Sequence, residues 1–245
     1  MPSPDPTILR RLRTAARRVA GAAVDRSWES VRRLGMIDAD DPRARRYGSF
    51  GPGSLLAFPR GDCTNPHAIH IGANCFIGVG VTLAVGMPTE RYPDDCEPVI
   101  EIGDRTTIGK DCWFVARHSI VLEHDVTIAP NVYFTDHNHT YADPWLPVGQ
   151  QVLQGDETWV GAGTWIATNA VVLPGARIGR NCTIAAGAVV RGEIPDHSVV
   201  VGVPGRVVRR WTREDGWQPP FTTPVEVVEG WPVGIPPDDD VEPPR

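Results

Sequence analysis

The chain has no run of 18 or more apolar residues, so it offers no transmembrane helix. No two of its five cysteines (Cys63, Cys75, Cys96, Cys112 and Cys182) form a CxxC pair. Their odd number and wide spacing argue against a disulfide framework or a zinc ribbon, and buried free thiols are the plainer expectation. Lysine is almost missing: Lys110 stands alone, and the other basic side chains are arginines. A net charge of −6 argues against a general nucleic-acid binder. The N-terminus lacks the apolar core of a secretory signal, because Arg17 and Arg18 interrupt its Ala-rich run; the cytoplasm is the expected compartment. What is present suffices for a folded domain, since 41% of the 245 residues are hydrophobic and only 22% are charged.

Repeats decide the fold class. Stepping by six from Val160 gives Ile166, Val172, Ile178, Ile184 and Val190, all branched aliphatics. Two residues before each stand Thr158, Thr164, Ala170, Ala176, Cys182 and Ala188, all small. A second run reads Ile102, Ile108, Phe114, Ile120, Val126 and Val132, and a shorter one Ile71, Ile77 and Leu83, so all fifteen phased positions are apolar. A period of six fits neither an amphipathic helix nor an alternating strand. It fits a coil with three flat sides, one hexapeptide per side and about 18 residues per turn, in which no repeat buries its face alone. The expected fold is a mainly β, left-handed parallel β-helix with an N-terminal helical segment and an extended C-terminal tail.

The phase breaks twice, at a Pro- and charge-rich stretch over 84–100 and at a longer one over 136–157; loops of this length are usually functional. The expected organisation is a helical cap or extension over 1–60, the β-helix over 61–205 and a C-terminal helix or tail over 206–245. Residues 206–216 read as a short helix or strand. The rest is Pro-rich, acidic and extended, with Trp217, Phe221 and Trp231 available to pin it. In the first segment Ile8, Leu9, Leu12, Ala15 and Val19 fall near helical spacing, with eight arginines between positions 10 and 33 mostly on other faces. Three readings are open for it: a cap over the first coil, which a solenoid end requires, a subunit contact, or a basic membrane-surface helix. Membrane contact is possible through this helix but is not the expected one.

Residues 125–209 resemble the maltose/galactoside O-acetyltransferase branch of the hexapeptide acyltransferases. The resemblance lies in DVTIAPNV (125–132), DHNHTYADP (136–144), TWVGAGTWIATNAVVLPGARIG (158–179), IAAGAVV (184–190) and IPDHSVVVGVPGRVVRR (194–210). It implies a homotrimer that uses acetyl-CoA as co-substrate, with no metal required. His137 matches the family's catalytic base, and Asp136 is a candidate to orient it; His139 is the rival base. A hydroxyl attacking a thioester must lose its proton as the bond forms, and histidine can take it at neutral pH. The resemblance places coenzyme A between two subunits, near Trp159, Ala162, Ala186, Arg191, Gly192, Arg206 and Arg209, with an oxyanion donor among the N–H groups of 159–163. Tyr141, Asp143 and Trp145 are candidate acceptor contacts. Arg117 stands where the family commonly has an asparagine that touches the acceptor, and it could instead hold an anionic one. Arg191 and Gly192 replace a frequent Thr-Lys pair.

The implied activity is O-acetyl transfer to a sugar or glycoconjugate. Alternatives are N-acyl transfer to an amino sugar or amino acid, a non-catalytic hexapeptide scaffold, and a zinc protein of the carbonic-anhydrase type. The last needs two histidines with four residues between them, a spacing that His118, His124, His137 and His139 do not offer.

Overall fold

The structure is a computed structural model that describes residues 6–93 and 95–221. The expectations for the acidic tail and Trp231 lie outside the described residues. The core is a three-faced coil of short strands. One turn runs through Ile100–Ile102 on the first face, Thr107–Ile108 on the second and Trp113–Ala116 on the third, and the chain then returns to the first face at Ile120–Leu122. Each strand pairs in parallel with its counterparts one turn away: Leu122 lies beside Ile102 and Val160, Ile128 beside Ile108 and Ile166, and Phe134 beside Phe114 and Val172. Parallel strands joined around three corners need no hairpins, so the hexapeptide period becomes the fold.

The branched residues point inward and are buried, as are the small ones at the corners. Thr164 shows why small polar residues suit those corners: its Oγ1 donates to the Gly179 carbonyl (2.9 Å) and accepts from the Cys182 N–H (3.0 Å). Coils approach so closely at Gly161 that a Cβ there would lie 2.6 Å from backbone atoms of Gly179 and Arg180. Asn131 and Asn169 turn the chain in the left-handed region, at φ 61°, a conformation asparagine tolerates better than most residues. At the centre Phe114 and Phe134 stack with centroids 4.6 Å apart.

The fold departs from the sequence reading in three places. First, the phase of six slips by two after Phe114. Leu122, not Ile120, occupies the position of Ile102 and Val160, while Ile120 lies beside the corner residue Thr158. Ile120, Val126 and Val132 are buried nonetheless. The slip is taken up at Arg117–His118–Ser119, where the strand Trp113–Ala116 turns onto the first face.

Second, the coil begins before residue 61: Ser49–Phe50 already pairs in parallel with His70 and Ile71, and Leu55–Leu56 with Phe76 and Ile77. Third, the helix Pro6–Gly35 is not the cap. Its described residues from Arg13 to Leu34 are exposed. Ile37–Asp38 runs antiparallel to Leu55–Leu56, and buried Ile37, Ala44 and Tyr47 close the first coil in its place. Of the two readings of residues 206–216, helix or strand, the structure shows the strand, followed by a turn. Arg206–Thr212 runs antiparallel to Ser198–Val201 and pairs with Gly216–Gln218, closing the other end of the coil. There Trp217 packs edge-on against Phe221, with centroids 5.3 Å apart.

Candidate active site

Asp136 ends the third-face strand Tyr133–Thr135, and its side chain is completely buried. A buried carboxylate needs donors on all sides. The two-residue slip supplies them, because the N–H groups of Arg117, His118 and Ser119 donate to it at 2.9, 2.7 and 2.8 Å. The fourth partner is the His137 ring, whose Nδ1 lies 2.7 Å from Asp136 Oδ1. An ionised carboxylate there selects the tautomer with hydrogen on Nδ1 and leaves Nε2 as the basic nitrogen. The His137 side chain is only 15% exposed. This environment can hold and transfer a proton.

His139 lacks it. It is exposed, and its Nδ1 sits 3.4 Å from the carbonyl of Gln151. His137–His139 forms a hairpin with Leu153–Gly155, in which His137 faces Gly155 and His139 faces Leu153. Gly155 passes directly over His118: a Cβ on it would fall 1.9 Å from His118 Cδ2. Beyond the hairpin, Gln151 knits the loop by donating to the carbonyls of Asp143 and Leu146 and accepting from the Asp143 N–H. Tyr141, Asp143 and Trp145 are therefore held on an ordered loop, and all three are exposed, Trp145 to 90%.

The 84–100 excursion reaches the same place, which the sequence did not reveal. Arg117 is ion-paired with Glu90. Tyr92 Oη donates to the Arg117 carbonyl at 3.0 Å, and Asn65 Nδ2 donates to the carbonyls of Val85 and Glu90. The Met87 N–H and the Arg117 guanidinium, in that order, hold the Glu90 carboxyl below the ordinary range, with a smaller contribution from His137. Arg117 is thus not a free cation awaiting an anionic acceptor; Glu90 already neutralises it. Charge-paired Arg-Glu and motif-borne His137 come from different repeats, so only the folded coil brings them together.

The residues assigned to coenzyme A are spread over the later coils. Trp159 stands half-buried on the first face between Val121 and Arg177. Ala162 is buried, and its N–H donates to Glu123 Oε2 at 2.8 Å. The N–H groups of Trp159, Gly161 and Gly163 are bonded to carbonyls of Ala176, Ile178 and His124. These four N–H groups of 159–163 are therefore engaged in holding coils together, which removes them as oxyanion donors. Ala186, Arg191 and Gly192 are exposed at corners. A bulge between Val199 and Val200 sets Arg206 beside Val201 and Arg209 beside Val199, which puts both arginines on one face of the sheet. Arg209 carries Phe221 over its guanidinium at 4.1 Å.

Among the described residues, no group of three or more His, Cys, Asp or Glu side chains is placed to share a metal ion. His118 and His124 stand at opposite ends of the strand Ile120–Leu122. Of the five cysteines, all free thiols, Cys75, Cys112 and Cys182 are buried as expected, while Cys63 and Cys96 are half-buried; burial raises the thiols of Cys112 and Cys182 to about 11.

Known proteins share this plan. The family described as bacterial transferase hexapeptide (six repeats) matches residues 157–192, and the hexapeptide repeat of succinyl-transferase matches 68–88 and 99–136. WbbJ of Escherichia coli (strain K12), named for O-acetyl transfer in lipopolysaccharide biosynthesis, is 30% identical over 158 residues, covering 61% of this chain and 76% of its own. The galactoside O-acetyltransferase of the same organism is 32% identical over 118 residues, covering 46% of this chain and 58% of its own. A mutant of AntD, an N-acyltransferase from Bacillus cereus solved with dTDP and coenzyme A, superposes with a TM-score of 0.56 at 16% identity, over 73% of this chain and 94% of that one. That last likeness is one of fold.

Proposed function

The chain belongs to the hexapeptide-repeat acyltransferases, and from that premise we propose that it moves an acetyl group from acetyl-CoA to a hydroxyl of a sugar or glycoconjugate, with His137 as general base. The observation that carries this reading is the buried Asp136 carboxylate on His137 Nδ1, which fixes the ring and leaves Nε2 to act. Nε2 takes the proton of the acceptor hydroxyl as its oxygen attacks the thioester carbonyl. The tetrahedral intermediate collapses with loss of the coenzyme A thiolate, which takes up a proton. Transfer is direct in this reading, because none of the five cysteines and no serine sits in a recognisable nucleophile motif.

In this reading the coil is left-handed and the working unit is a homotrimer. Acetyl-CoA lies in the groove between two subunits, along Trp159, Ala186, Arg191, Gly192, Arg206 and Arg209. Arginine suits the nucleotide phosphates, and the common face of Arg206 and Arg209 supports that role. The acceptor enters between the two excursions, with Glu90 and Arg117 near His137 and the Tyr141–Trp145 loop beyond the hairpin as its contacts. A hydroxyl-rich acceptor fits a neutral, polar Arg-Glu pair better than an anion does. The names of WbbJ and the galactoside enzyme point the same way for those proteins.

The test is acetyl-CoA turnover by the purified chain against a panel of sugars and amino sugars, alongside His137→Ala. Turnover with a sugar hydroxyl is expected, with kcat lowered roughly 10²–10⁴-fold in the variant and coenzyme A affinity little changed. Full activity in the variant would reject His137 as the base. Turnover confined to amino sugars would reject O-transfer.

A further inference from the structure

The helix Pro6–Gly35 is rooted at one end, and its described residues from Arg13 to Leu34 are covered by nothing. Its root is firm. Arg43, held by Asp41, donates to the carbonyls of Leu34, Gly35 and Met36, and Gly35 is set so close to Phe58 that a Cβ would overlap the ring. From that staple 30 residues extend for about 45 Å. A lone helix in water is marginal and is stabilised chiefly by something packing on its apolar face. Thr14 bonds to the Arg10 carbonyl, Ser30 to the Arg26 carbonyl, and Glu29 to Arg32 and Arg33, so these polar contacts all stay within the helix.

The first two-thirds of the helix has a definite pattern. At 100° per residue, positions 8, 12, 15, 19 and 23 (Ile, Leu, Ala, Val and Ala) fall within one stripe. Positions 10, 11, 13, 17 and 18 lie on the remaining faces, and all are arginine. No acidic residue occurs from Pro6 to Val24, in a chain whose net charge is −6. Self-association along this stripe would bury the apolar face but leave the five arginines without an anionic partner within that segment. An anionic surface would instead neutralise them while the stripe sinks into it.

We propose that residues 6–24 form a membrane-surface anchor, lying in the plane of an anionic bilayer with the Ile8–Leu12–Ala15–Val19–Ala23 stripe toward the acyl chains and the arginines among the headgroups. The charge of the remaining chain is acidic, so the same bilayer repels the coil, and the stapled helix holds it at the surface without embedding it. No helix among the described residues is long and apolar enough to cross a membrane, in keeping with an anchor that lies on the surface. The proposal is independent of the reading of His137.

The experiment is co-sedimentation of the full chain with vesicles of phosphatidylcholine alone and of phosphatidylcholine mixed with phosphatidylglycerol. Binding to the mixed vesicles is expected, little to phosphatidylcholine, and release as salt rises. At about 1 kcal/mol, or fivefold, per arginine near the surface, Arg10→Ser/Arg13→Ser/Arg17→Ser should weaken binding about a hundredfold. Val19→Asp should weaken it as well, and Arg45→Ser should not. Equal binding to both vesicle types, salt-insensitive binding, or no binding would overturn the proposal. So would a triple variant that binds like the parent, or one that changes only the oligomeric mass. The lipid and salt arms use the unaltered chain, so they decide the matter whatever the substitutions do to the helix.

Discussion

The Asp136 carboxylate lies 2.7 Å from Nδ1 of His137 and also closes a cup of three backbone N–H groups, from Arg117, His118 and Ser119. One side chain therefore serves the ring and the corner of the coil. Asp136→Asn keeps the shape but turns an NH₂ toward those donors. It should destabilise the fold by roughly 1–3 kcal/mol for each N–H left unsatisfied, and lower kcat alongside. His137→Ala should lower kcat with little change in melting temperature. Calorimetry on the two variants separates these roles; equal losses of Tm would mean that the cup is not held by Asp136.

The ion pair between Arg117 and Glu90 joins the first excursion to the site. Glu90→Gln removes the charge that balances Arg117 and leaves a cation beside His137. Acceptor KM should rise about tenfold, on the scale of one lost charge-assisted hydrogen bond, while KM for acetyl-CoA stays near the parent value. A change in acetyl-CoA KM alone would move this pair out of the acceptor site. The carboxyl is held below its ordinary range, so the pair persists at neutral pH and weakens only as acid protonates Glu90.

Gly155 faces His137 across the hairpin and lies over His118, with no room for a Cβ. Gly155→Ala must displace the His118 ring or lift the hairpin from the Asp136 carbonyl, which lies 2.6 Å from where the added methyl would sit. Activity should fall at least tenfold, as a small misplacement of a catalytic group does. Gly155 lies outside the buried core, so Tm should stay within a few degrees of the parent value. Unimpaired kcat would show that the hairpin adapts without moving His137.

The repeat made most of the coil legible, because few chain architectures bury one position in every six. Val160, Ile166 and Val172 occupy the three inward positions of one turn as their spacing implies. What stayed hidden was the slip at residues 117–119. Ile120, Val126 and Val132 are apolar, so the wrong phase looked as regular as the true one; the signal was Leu122, Ile128 and Phe134, two residues on and equally buried. That slip makes the cup for Asp136, so the irregularity in the repeat marks the site. Glu90 was hidden for a different reason: its partner lies 27 residues away in sequence, and no local pattern records a contact made by a loop. The helix was legible as a helix, but an apolar stripe does not name what covers it.

Phe114 and Phe134 provide the measure of that core. Both are fully buried, and they stack face to face on successive turns, 4.6 Å apart with planes 8° from parallel. Phe134→Ala removes one ring from the strand that presents Asp136. The expected loss is about 3–5 kcal/mol, read by chemical denaturation. A loss under about 1 kcal/mol would mean that the neighbouring coils close the cavity.

The Asp41–Arg43 staple sets the helix on the coil, and its strength depends on acid. Hydrogen bonding to the Arg43 side chain, then to its backbone N–H, lowers the Asp41 carboxyl from 3.8 to about 2. A group whose folded value is depressed stabilises the fold fully above its unfolded value, and loses that contribution as pH falls through the folded one. The staple should therefore be intact at neutral pH and released between about pH 4 and pH 2. Asp41→Asn removes the charge at every pH. Its Tm should lie below the parent's at about pH 7, and the two curves should converge near pH 2. Curves that stay parallel across that range would show that Arg43 holds the carbonyls of Leu34 and Met36 without help from the Asp41 charge.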